Sequence, residues 1–456
     1  MVARQAHNLK VGGSIPPSAT KQAYKAKNMK KAVLIFFLLL SALSVYTVER
    51  VSLEALQSDW TKYENQMVEI TTPLIVCGSF YDSLVLAPER LFCPEERAIG
   101  LADGDSTMYY ELVAQNKAKS ICLHCKNQYY NVRTGDMVRG LKARVTGERQ
   151  LLTGVSIPTL HAPVDRLPAR RIGELRVVGA NIENYFADLG GYAHKRTTPA
   201  QLALKTQKLC QAIVKMNADI IACCEMQVGN KAPELLLKSL NKSGKKYAYV
   251  TMPLENMDRI GGCFIYDPKR VRPYAAPISA YHDTTDHYYA RMFAVGFEEI
   301  ATGERLIIGV NHFKSKRPGR TQYDTNLRRM ENTDSLLVML PKAKEAFGDE
   351  DILLLGDYNC YTQEQPIQTI VRAGYADLLP LGGENDYSYS FKGEAGYLDR
   401  CFANETMCKQ VVRVKPWHIN ADWYYQHGAY KMKDKTHHRY SDHDPIIVDI
   451  KLGNGK

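Results

Sequence analysis

The sequence predicts a large α/β unit preceded by a smaller β-rich unit. In the large unit, apolar strand-like runs alternate with a helical pattern, and several of these runs end in carboxylate, amide or imidazole groups. In the smaller unit, short runs rich in β-branched and aromatic residues are separated by turn residues. Strands that alternate with helices favour an α/β architecture, whereas short closely spaced strands favour a small barrel or sandwich.

The N-terminal segment is predicted to be a leader and signal peptide, residues 1–44. Met29-Lys-Lys precedes the apolar stretch AVLIFFLLLSALS, and Ala42 and Ser44 occupy the −3 and −1 positions of a cleavage site. This pattern predicts a signal peptide at about 29–44, with Met29 as the true start. Export to the periplasm or the medium is expected.

The apolar run at Ala32–Val48 is shorter than the ~20 residues that a membrane span needs. The mature form is therefore expected to have no membrane anchor. Residues 1–44 also hold seven Lys or Arg and no acid, so the formal charge of +10 less these seven leaves +3. The basic charge is thus weak evidence for a nucleic-acid partner.

Eleven cysteines in an exported chain predict disulfides with at least one thiol left over. A zinc site is the less favoured alternative for Cys77, Cys93, Cys122 and Cys125, because their spacing lacks two close pairs. Cys401 and Cys408 could close a short loop. The adjacent Cys223 and Cys224 are interpreted as core thiols on opposite sides of a strand.

Residues 50–165 are predicted to form the small β-rich domain. The β-type segments are Asp59-Trp60, Gln66–Ile70, Ser83–Leu86, Met108–Val113 and Met137–Thr146. The Pro- and Arg-rich segment HAPVDRLPARRIGEL then supplies a linker at 166–174. The large domain follows at 175–456.

In the large domain, polar residues recur where predicted strands end. Leu175–Ala180 leads to Asn181 and Glu183, and Ala218–Cys224 leads to Glu225. Between them, Thr198-Pro199 predicts a helix start, followed by a helical stripe of apolar residues, Leu202, Leu209, Ala212, Ile213 and Met216.

Two further runs have the same form. Arg305–Val310 leads to Asn311-His312, and Asp351–Gly356 leads to Asp357-Tyr-Asn359. Each polar group alone has an ordinary explanation as a turn residue or a strand cap. Their common position at strand ends predicts a ligand site.

The stretch YSDHDPIIVDI places Asp442 and His443 on a turn before a strand that starts at Pro445. Carboxylates crowded in one cleft repel one another unless a cation lies among them. The carboxylates concerned are Glu183, Glu225, Asp357, Asp399 and Asp442. Oxygen ligands favour Mg²⁺, with Mn²⁺ and Ca²⁺ as alternatives, over zinc.

Histidines supply proton transfer, and cations bind phosphate oxygens, so the set fits attack of water on a phosphoester. The cations concerned are Arg291, Lys314, Lys316 and Arg317. The sequence contains no P-loop, nucleophile elbow or dinucleotide fingerprint that would indicate other chemistry.

Seven motifs in order resemble the endonuclease/exonuclease/phosphatase superfamily of DNase I-like proteins. They are ANIEN (180–184), CCEMQ (223–227), ARMFAV (290–295), VNHFKSK (310–316), LLGDYN (354–359), YLDR (397–400) and YSDHDP (440–445). The resemblance covers Arg176 to Leu452, and VNHFKSK and SYSFKGEAGYLDR are similar to the bacterial extracellular nuclease branch. It implies an α/β fold, a DNase I-like two-sheet sandwich flanked by helices, preceded by a small all-β OB-like barrel.

The resemblance also implies roles for residues. Metal binding falls to Asn181, Glu183, Glu225 and Asp442, and catalysis to His312, Asp357, Asn359, Asp399 and His443. Arg291 and Lys314 would bind the substrate. Asp444 receives no role, and no glutamate partner of His312 is identified. Arg400 stands where relatives often have histidine, and it could either contact the substrate backbone or form an ion pair.

The expected function is that of a secreted, metal-dependent, monomeric nuclease that acts on DNA with little sequence preference, with RNA as a further candidate substrate. Aromatic and basic residues of the barrel could hold single strands, among them Tyr109, Tyr110, Tyr129, Tyr130 and Arg133. The alternatives are a sphingomyelinase-like phospholipid or sugar-phosphate phosphoesterase, which an exposed aromatic hairpin would favour, and a non-catalytic nucleic-acid-binding module.

Overall fold

The structure is a computed structural model, and it describes residues 48–80, 83–124, 132–146, 151–163, 167–189, 197–253, 260–280, 291–317, 325–383, 385–423 and 435–453. The predicted signal peptide, Cys125, Tyr129 and Tyr130 lie outside these ranges. Arg50–Lys456 forms one compact unit. Across the described ranges, no helix combines the length and the apolar character that a membrane crossing requires.

The N-terminal region contains ten strands and three α-helices among its described residues. The strands are β1 (Glu49–Val51), β2 (Met67–Ile70), β3 (Leu74–Phe80), β4 (Ser83–Ala87), β5 (Leu91–Phe92), β6 (Ile121–His124), β7 (Met137–Val138), β8 (Leu141–Val145), β9 (Leu151–Ser156) and β10 (Thr159–Leu160). The helices are α1 (Leu53–Ser58), α2 (Pro94–Arg97) and α3 (Thr107–Lys119).

Nine of these strands form one sheet in the order β1-β2-β8-β9-β6-β4-β3-β7-β10. Inward-facing residues such as Leu56, Val68, Leu84 and Leu123 make a core of their own. This arrangement is compatible with the OB-like barrel, which stays a prediction.

Two predicted strands are helical in the structure, so those predictions are wrong. Met108–Val113 belongs to α3, where residues that favour helices, among them Glu111, Leu112, Ala114 and Gln115, continue the segment toward Lys119. Asp59-Trp60 starts a 3-10 turn, Trp60–Tyr63, in which the Asp59 carboxylate accepts the Lys62 N–H. β-propensity alone misled the prediction in both places.

The large region contains fifteen strands and five α-helices among its described residues. The strands are β11 (Leu175–Tyr185), β12 (Ile220–Gln227), β13 (Ala248–Thr251), β14 (Ile260–Tyr266), β15 (Val271–Pro273), β16 (Ile278–Ser279), β17 (Arg291–Glu299), β18 (Arg305–His312), β19 (Ile352–Asp357), β20 (Ala376–Asp377), β21 (Tyr389–Phe391), β22 (Glu394–Gly396), β23 (Asp399–Ala403), β24 (Val411–Pro416) and β25 (Ile446–Ile450). The helices are α4 (Pro199–Met216), α5 (Lys231–Leu240), α6 (Thr325–Phe347), α7 (Gln365–Arg372) and α8 (Glu405–Cys408).

Two sheets pack face to face in this region. The first has the order β13-β14-β12-β11-β25-β24, and the second contains β15-β17-β18-β19-β23-β20. Apolar residues of both sheets, including Val177, Val310 and Leu355, fill the layer between them. Helices α4 and α5 cover the outer face of the first sheet, and α6 and α7 cover that of the second. The predicted DNase I-like two-sheet sandwich is confirmed.

Helix α4 begins where the sequence predicts. The Thr198 hydroxyl accepts the Gln201 N–H at 3.2 Å, the Gln201 side chain accepts the Thr198 N–H at 2.8 Å, and Pro199 takes the first helical position. The predicted apolar stripe of this helix is buried against the first sheet.

The predicted disulfides are not found, because all ten described cysteines are free thiols. Cys223 and Cys224 lie in different cores, on opposite faces of β12, as predicted. Burial raises the pKa of the Cys77 thiol to about 11, and Cys77 packs as a small apolar side chain in the core. Cys401 is likewise buried in the core, and no bond joins it to Cys408.

Candidate active site

One edge of the two-sheet sandwich collects the polar residues that the sequence singled out. In the second sheet, Arg291, His312, Asp357 and Asp399 are direct cross-strand neighbours, in that order, on β17, β18, β19 and β23. In the first sheet, the parallel strands β11 and β12 carry Asn181 and Glu225 to the same end. Because β25 runs antiparallel to β11, the turn before it arrives there too.

At the centre of this edge, a histidine and a carboxylate form a buried pair. His443 Nδ1 lies 2.7 Å from Asp399 Oδ2, and both side chains are almost fully buried. Although burial alone would lower it, the carboxylates of Asp399, Asp357 and Asp442 raise the pKa of His443 well above its usual value. The imidazole is therefore held in its charged form.

Asp357 lies beside the other ring nitrogen of His443. Its Oδ2 lies 3.9 Å from His443 Nε2 and accepts the Asn359 side-chain N–H at 3.2 Å. The Asn359 backbone N–H donates to Asp357 Oδ1 at 2.8 Å. Burial and the nearby Asp399 raise the pKa of Asp357 to about 7, against the opposing effect of His443.

A group able to hold a metal ion adjoins this pair. One ligand atom each from Glu225, His312 and Asp357 lie within 4.8 Å of one another. His312 Nε2 is 3.7 Å from Glu225 Oε1 and 3.9 Å from Asp357 Oδ2. The group thus contains two of the predicted catalytic residues and one predicted metal ligand.

Asn181 orients the carboxylates of this group. Its side-chain N–H donates to Glu225 Oε1 at 3.3 Å and to Asp357 Oδ2 at 3.1 Å, while its Oδ1 accepts the Glu183 N–H at 2.9 Å. In this arrangement the amide faces the carboxylates with its nitrogen, and a role as a metal ligand stays a prediction.

Glu183 and Asp442 have a different set of neighbours. Burial and the nearby Asp442 raise the pKa of Glu183, whereas Lys205 and Arg439 oppose that rise. The pKa of Asp442 is lowered despite burial, because His443 and Arg439 lie close by. The structure therefore places these two predicted metal ligands beside cations, outside the group of Glu225, His312 and Asp357.

The backbone is strained where the site is formed. Glu183, Glu225 and Asn359 have φ values of 50°, 63° and 50°, in the left-handed region. The pairing of β11 with β12 and of β12 with β14 shifts register at Glu183 and at Glu225. Such bulges turn side chains that would otherwise follow the strand alternation toward the sheet edge.

Cations border the site on the side of β17 and β18. Burial and the charges of Arg291, Arg329 and Arg317 lower the pKa of Lys314. The Lys314 backbone is fixed to helix α6, since its N–H donates to the Asn332 side chain at 3.0 Å. Like charges held this closely favour the binding of an anion.

One residue with a large structural role, Asp444, received no role from the sequence. Asp444 is fully buried and accepts the N–H groups of Ile419, Asn420 and Ala421, while its other oxygen lies 2.9 Å from His418 Nδ1. It therefore fixes the turn that carries His443. The partners of its side chain lie 23–26 residues earlier in the chain, so no local pattern indicates them.

Arg400 forms an ion pair, one of the two alternatives left by the sequence. It is fully buried, lies 2.6 Å from Asp377 and 3.6 Å from Glu96, and donates to the Cys360 carbonyl. With its donors engaged inside the protein, it is not available to grip a substrate backbone. Arg133 of the N-terminal region is also buried and pairs with Asp136, so its predicted contact with single strands is not supported.

The sequence profile of the endonuclease/exonuclease/phosphatase family matches residues 179–443. No curated protein matches the chain. Among solved structures, an endonuclease/exonuclease/phosphatase family protein from Bacteroides thetaiotaomicron is similar at 15% identity, covering 60% of this chain and 94% of that one, with a TM-score of 0.44.

Two further structures show comparable likeness. The human Nocturnin catalytic domain with bound sulfate is 14% identical, covers 62% of this chain and 96% of its own, and has a TM-score of 0.44. A mannosyl-6-phosphatase from Bacteroides thetaiotaomicron is 15% identical, covers 61% and 100%, and has a TM-score of 0.45. Because the family profile spans more than half of the sequence and every residue of the site falls within or beside it, the chain belongs to the endonuclease/exonuclease/phosphatase family.

Proposed function

We propose that the mature chain is an exported, metal-dependent phosphodiesterase that cleaves the backbone of nucleic acids. Members of its family are hydrolytic phosphoesterases, both nucleases and phosphatases. The observation that carries the proposal is the buried His443–Asp399 pair at 2.7 Å, with Asp357 beside it.

His443 and Asp357 suit opposite tasks in the attack of water on phosphorus. A charged His443 donates a hydrogen bond to a phosphoryl oxygen and stabilises the charge that develops there. Asp399 holds the His443 ring in place and stabilises its positive charge. Asp357, whose orientation is fixed by Asn359, can position the attacking water and accept its proton.

The donor set fits a divalent metal. Two carboxylates and an imidazole face one another within 4.8 Å, and burial makes this crowding of like charges costly without a cation. Glu225 and Asp357 would hold Mg²⁺, or Mn²⁺ or Ca²⁺, through oxygen, with His312 adjacent. When bound, such an ion polarises the phosphoryl group and stabilises its negative charge.

The cations beside the site favour a polymeric polyanion as the substrate. Arg291 lies opposite His312 in the strand register, and Lys314 lies two residues further along the chain. Together with Arg317 they exceed what a single phosphate needs, and they suit a backbone with phosphates on both sides of the bond that is cleaved.

One feature favours the lipid alternative. The hairpin β21–β22 exposes Phe391, with Lys392 at its turn and 5.3 Å over its ring. An aromatic residue with a neighbouring cation is a common way to contact a membrane surface. This single side chain keeps a phospholipid substrate as the second candidate.

The test is incubation of the mature protein with supercoiled plasmid, single-stranded DNA and RNA, in Mg²⁺ or in EDTA, beside a His443→Ala variant. The expected result is Mg²⁺-dependent cleavage that the variant lacks. Parallel reactions contain choline-phospholipid vesicles and a sugar phosphate. Hydrolysis of only these small or lipid substrates would overturn the proposal for nucleic acid. Fractionation of producing cells tests export, with the protein expected outside the cytoplasm.

A further inference from the structure

We infer that the N-terminal region is part of the catalytic centre, because it holds the hairpin whose Tyr389 positions the His443 ring. The inference rests on the proposed function for its catalytic consequence. Its structural part is the contact between the Tyr389 and His443 rings, which the N-terminal region stabilises. This contact can be measured without an activity assay.

Tyr389 is the residue that contacts the histidine. Its ring centroid lies 4.6 Å from that of His443, with 32° between the ring planes. Asp399 restrains the imidazole at Nδ1, and Tyr389 restrains the ring itself. A hydrogen bond through one nitrogen leaves the imidazole free to tilt about that axis, and an aromatic side chain packed on the ring limits the tilt. Tyr389 is therefore a positioning residue rather than a catalytic one.

The chain next to Tyr389 is tied to both elements that carry the catalytic pair. The Ser388 side chain accepts the Asp399 N–H at 3.1 Å, and the Ser388 carbonyl accepts the Asp444 N–H at 2.8 Å. The hairpin is thus fixed at its base, directly between the two residues of the buried pair.

The N-terminal region holds the other side of the hairpin. Strand β5 pairs in parallel with β22, so β21, β22 and β5 form one three-stranded sheet. The Cys93 N–H donates to the Ala395 carbonyl at 2.8 Å. The backbones also meet at Gly78 and Gly393, where a Cβ on Gly78 would lie 2.8 Å from the Gly393 Cα. An isolated two-stranded hairpin is marginally stable in water, and a third strand stabilises it.

Glu96 provides a second connection, to the strand that carries Asp399. Its carboxylate accepts the Tyr397 N–H at 2.5 Å and lies 3.6 Å from the buried Arg400 guanidinium. Tyr397 and Arg400 flank Asp399 in the sequence. A side chain of the N-terminal region is therefore bound to residues on both sides of Asp399 in the chain.

The test uses the full mature chain with two pairs of variants. Tyr389→Leu removes the aromatic ring, and Tyr389→Phe keeps it. Cys93→Pro removes the N–H that bonds to Ala395, and the φ of −57° at this residue already suits proline. Cys93→Ala keeps that N–H and is the matched control, since both changes remove the thiol.

The expected result is a kcat lowered about 10- to 100-fold in Tyr389→Leu and Cys93→Pro, with KM within about threefold of the wild type, as for small misplacements of a catalytic group. Tyr389→Phe and Cys93→Ala should retain most of the activity. The NMR resonances of the His443 ring protons, shifted by the ring current of Tyr389, should move in the two impaired variants and stay in their controls.

A kcat in Tyr389→Leu equal to that of Tyr389→Phe would overturn the positioning role. If Tyr389→Leu is impaired but a folded Cys93→Pro is not, the contribution of the N-terminal region is wrong. If Cys93→Pro does not fold, Glu96→Gln replaces it, with the same expected shift of the resonances. If the wild type hydrolyses no nucleic acid while the resonances behave as described, the proposed function fails and the structural inference stands.

Discussion

At the scale of single residues, the site concentrates features that cost stability. Glu183, Glu225 and Asn359 take left-handed backbone conformations, which a non-glycine residue adopts at a cost of about 1–3 kcal/mol where the surroundings force it. Asp357 and Glu183 are carboxylates whose pKa values rise because they are buried beside other acids. Both costs are understandable if a cation and a phosphate complete the site.

The first prediction concerns the metal. Mg²⁺ or Mn²⁺ should raise the melting temperature of the wild-type protein, because an ion that binds only the folded state stabilises it. Glu225→Gln keeps the size of the side chain but removes one charge from the group, so the metal-induced rise should largely disappear. Thermal unfolding with and without the ion measures this directly.

Glu345→Gln, on the exposed side of helix α6, is the matched control and should keep the full rise. An equal metal-induced rise in Glu225→Gln would show that the ion binds elsewhere.

The second prediction concerns His418, which lies 2.6 Å from Asp386 and 2.9 Å from Asp444 and stacks on Tyr387. Burial opposes its charge, but hydrogen bonds to Asp386 and Asp444 raise its pKa from 6.5 to about 10. Since the folded protein holds this proton more tightly than the unfolded chain, the stabilisation is complete below pH 6.5 and is lost as the pH rises toward 10.

The stability difference between wild type and His418→Gln should therefore be largest near pH 6 and should shrink between pH 6.5 and 10. Urea unfolding of both proteins at pH 6, 8 and 10 checks it. A difference that is constant or grows with pH contradicts the assignment of a charged His418.

At the scale of elements, strand β19 depends on one glycine. Gly356 has a φ of +136°, and a Cβ there would lie 2.0 Å from the Asn311 carbonyl oxygen of β18. The two residues are direct partners in the parallel pair that brings His312 beside Asp357. A side chain at this position must push the two strands apart.

Gly356→Ala should lower the free energy of unfolding by at least about 3 kcal/mol, as expected for a backbone clash in a core. Gly348→Ala is the control, because its φ of +63° is also left-handed but its surroundings are open, so about 1 kcal/mol is expected. Denaturant unfolding measures both. Equal losses would show that only the backbone conformation matters.

The elements of the large region were largely predictable from local patterns. Each apolar run that was predicted to end in a polar residue is a strand, and Thr198-Pro199 starts a helix. Buried strands are apolar over their whole length, and a helix start needs specific capping residues, so both leave a local signal. Helix α3 was missed because Tyr and Val favour strands, and because none of its side chains is buried, so no apolar stripe marks it as a helix.

At the scale of the whole molecule, prediction failed where partners lie far apart in the sequence. Asp444 meets the segment at Ile419–Ala421, and Arg400 meets Glu96 some 300 residues away. The pairing of β5 with β22 depends on how the two regions dock, for which neither strand carries a sequence signal. The prediction of disulfides was wrong for a related reason. It rested on the oxidising compartment expected for an exported protein and not on how the cysteines pack.

The most direct test of the central claim is the rate of cleavage of a single-stranded oligonucleotide by Asp399→Asn in the presence of Mg²⁺. Asparagine matches the shape of the side chain but removes the charge that supports the protonated His443. We expect the folded variant to have a kcat lowered about 100- to 10,000-fold. Asp334→Asn, an exposed change on helix α6, should have the wild-type rate. A wild-type rate in Asp399→Asn would contradict the account, because the buried pair would then play no part in the reaction.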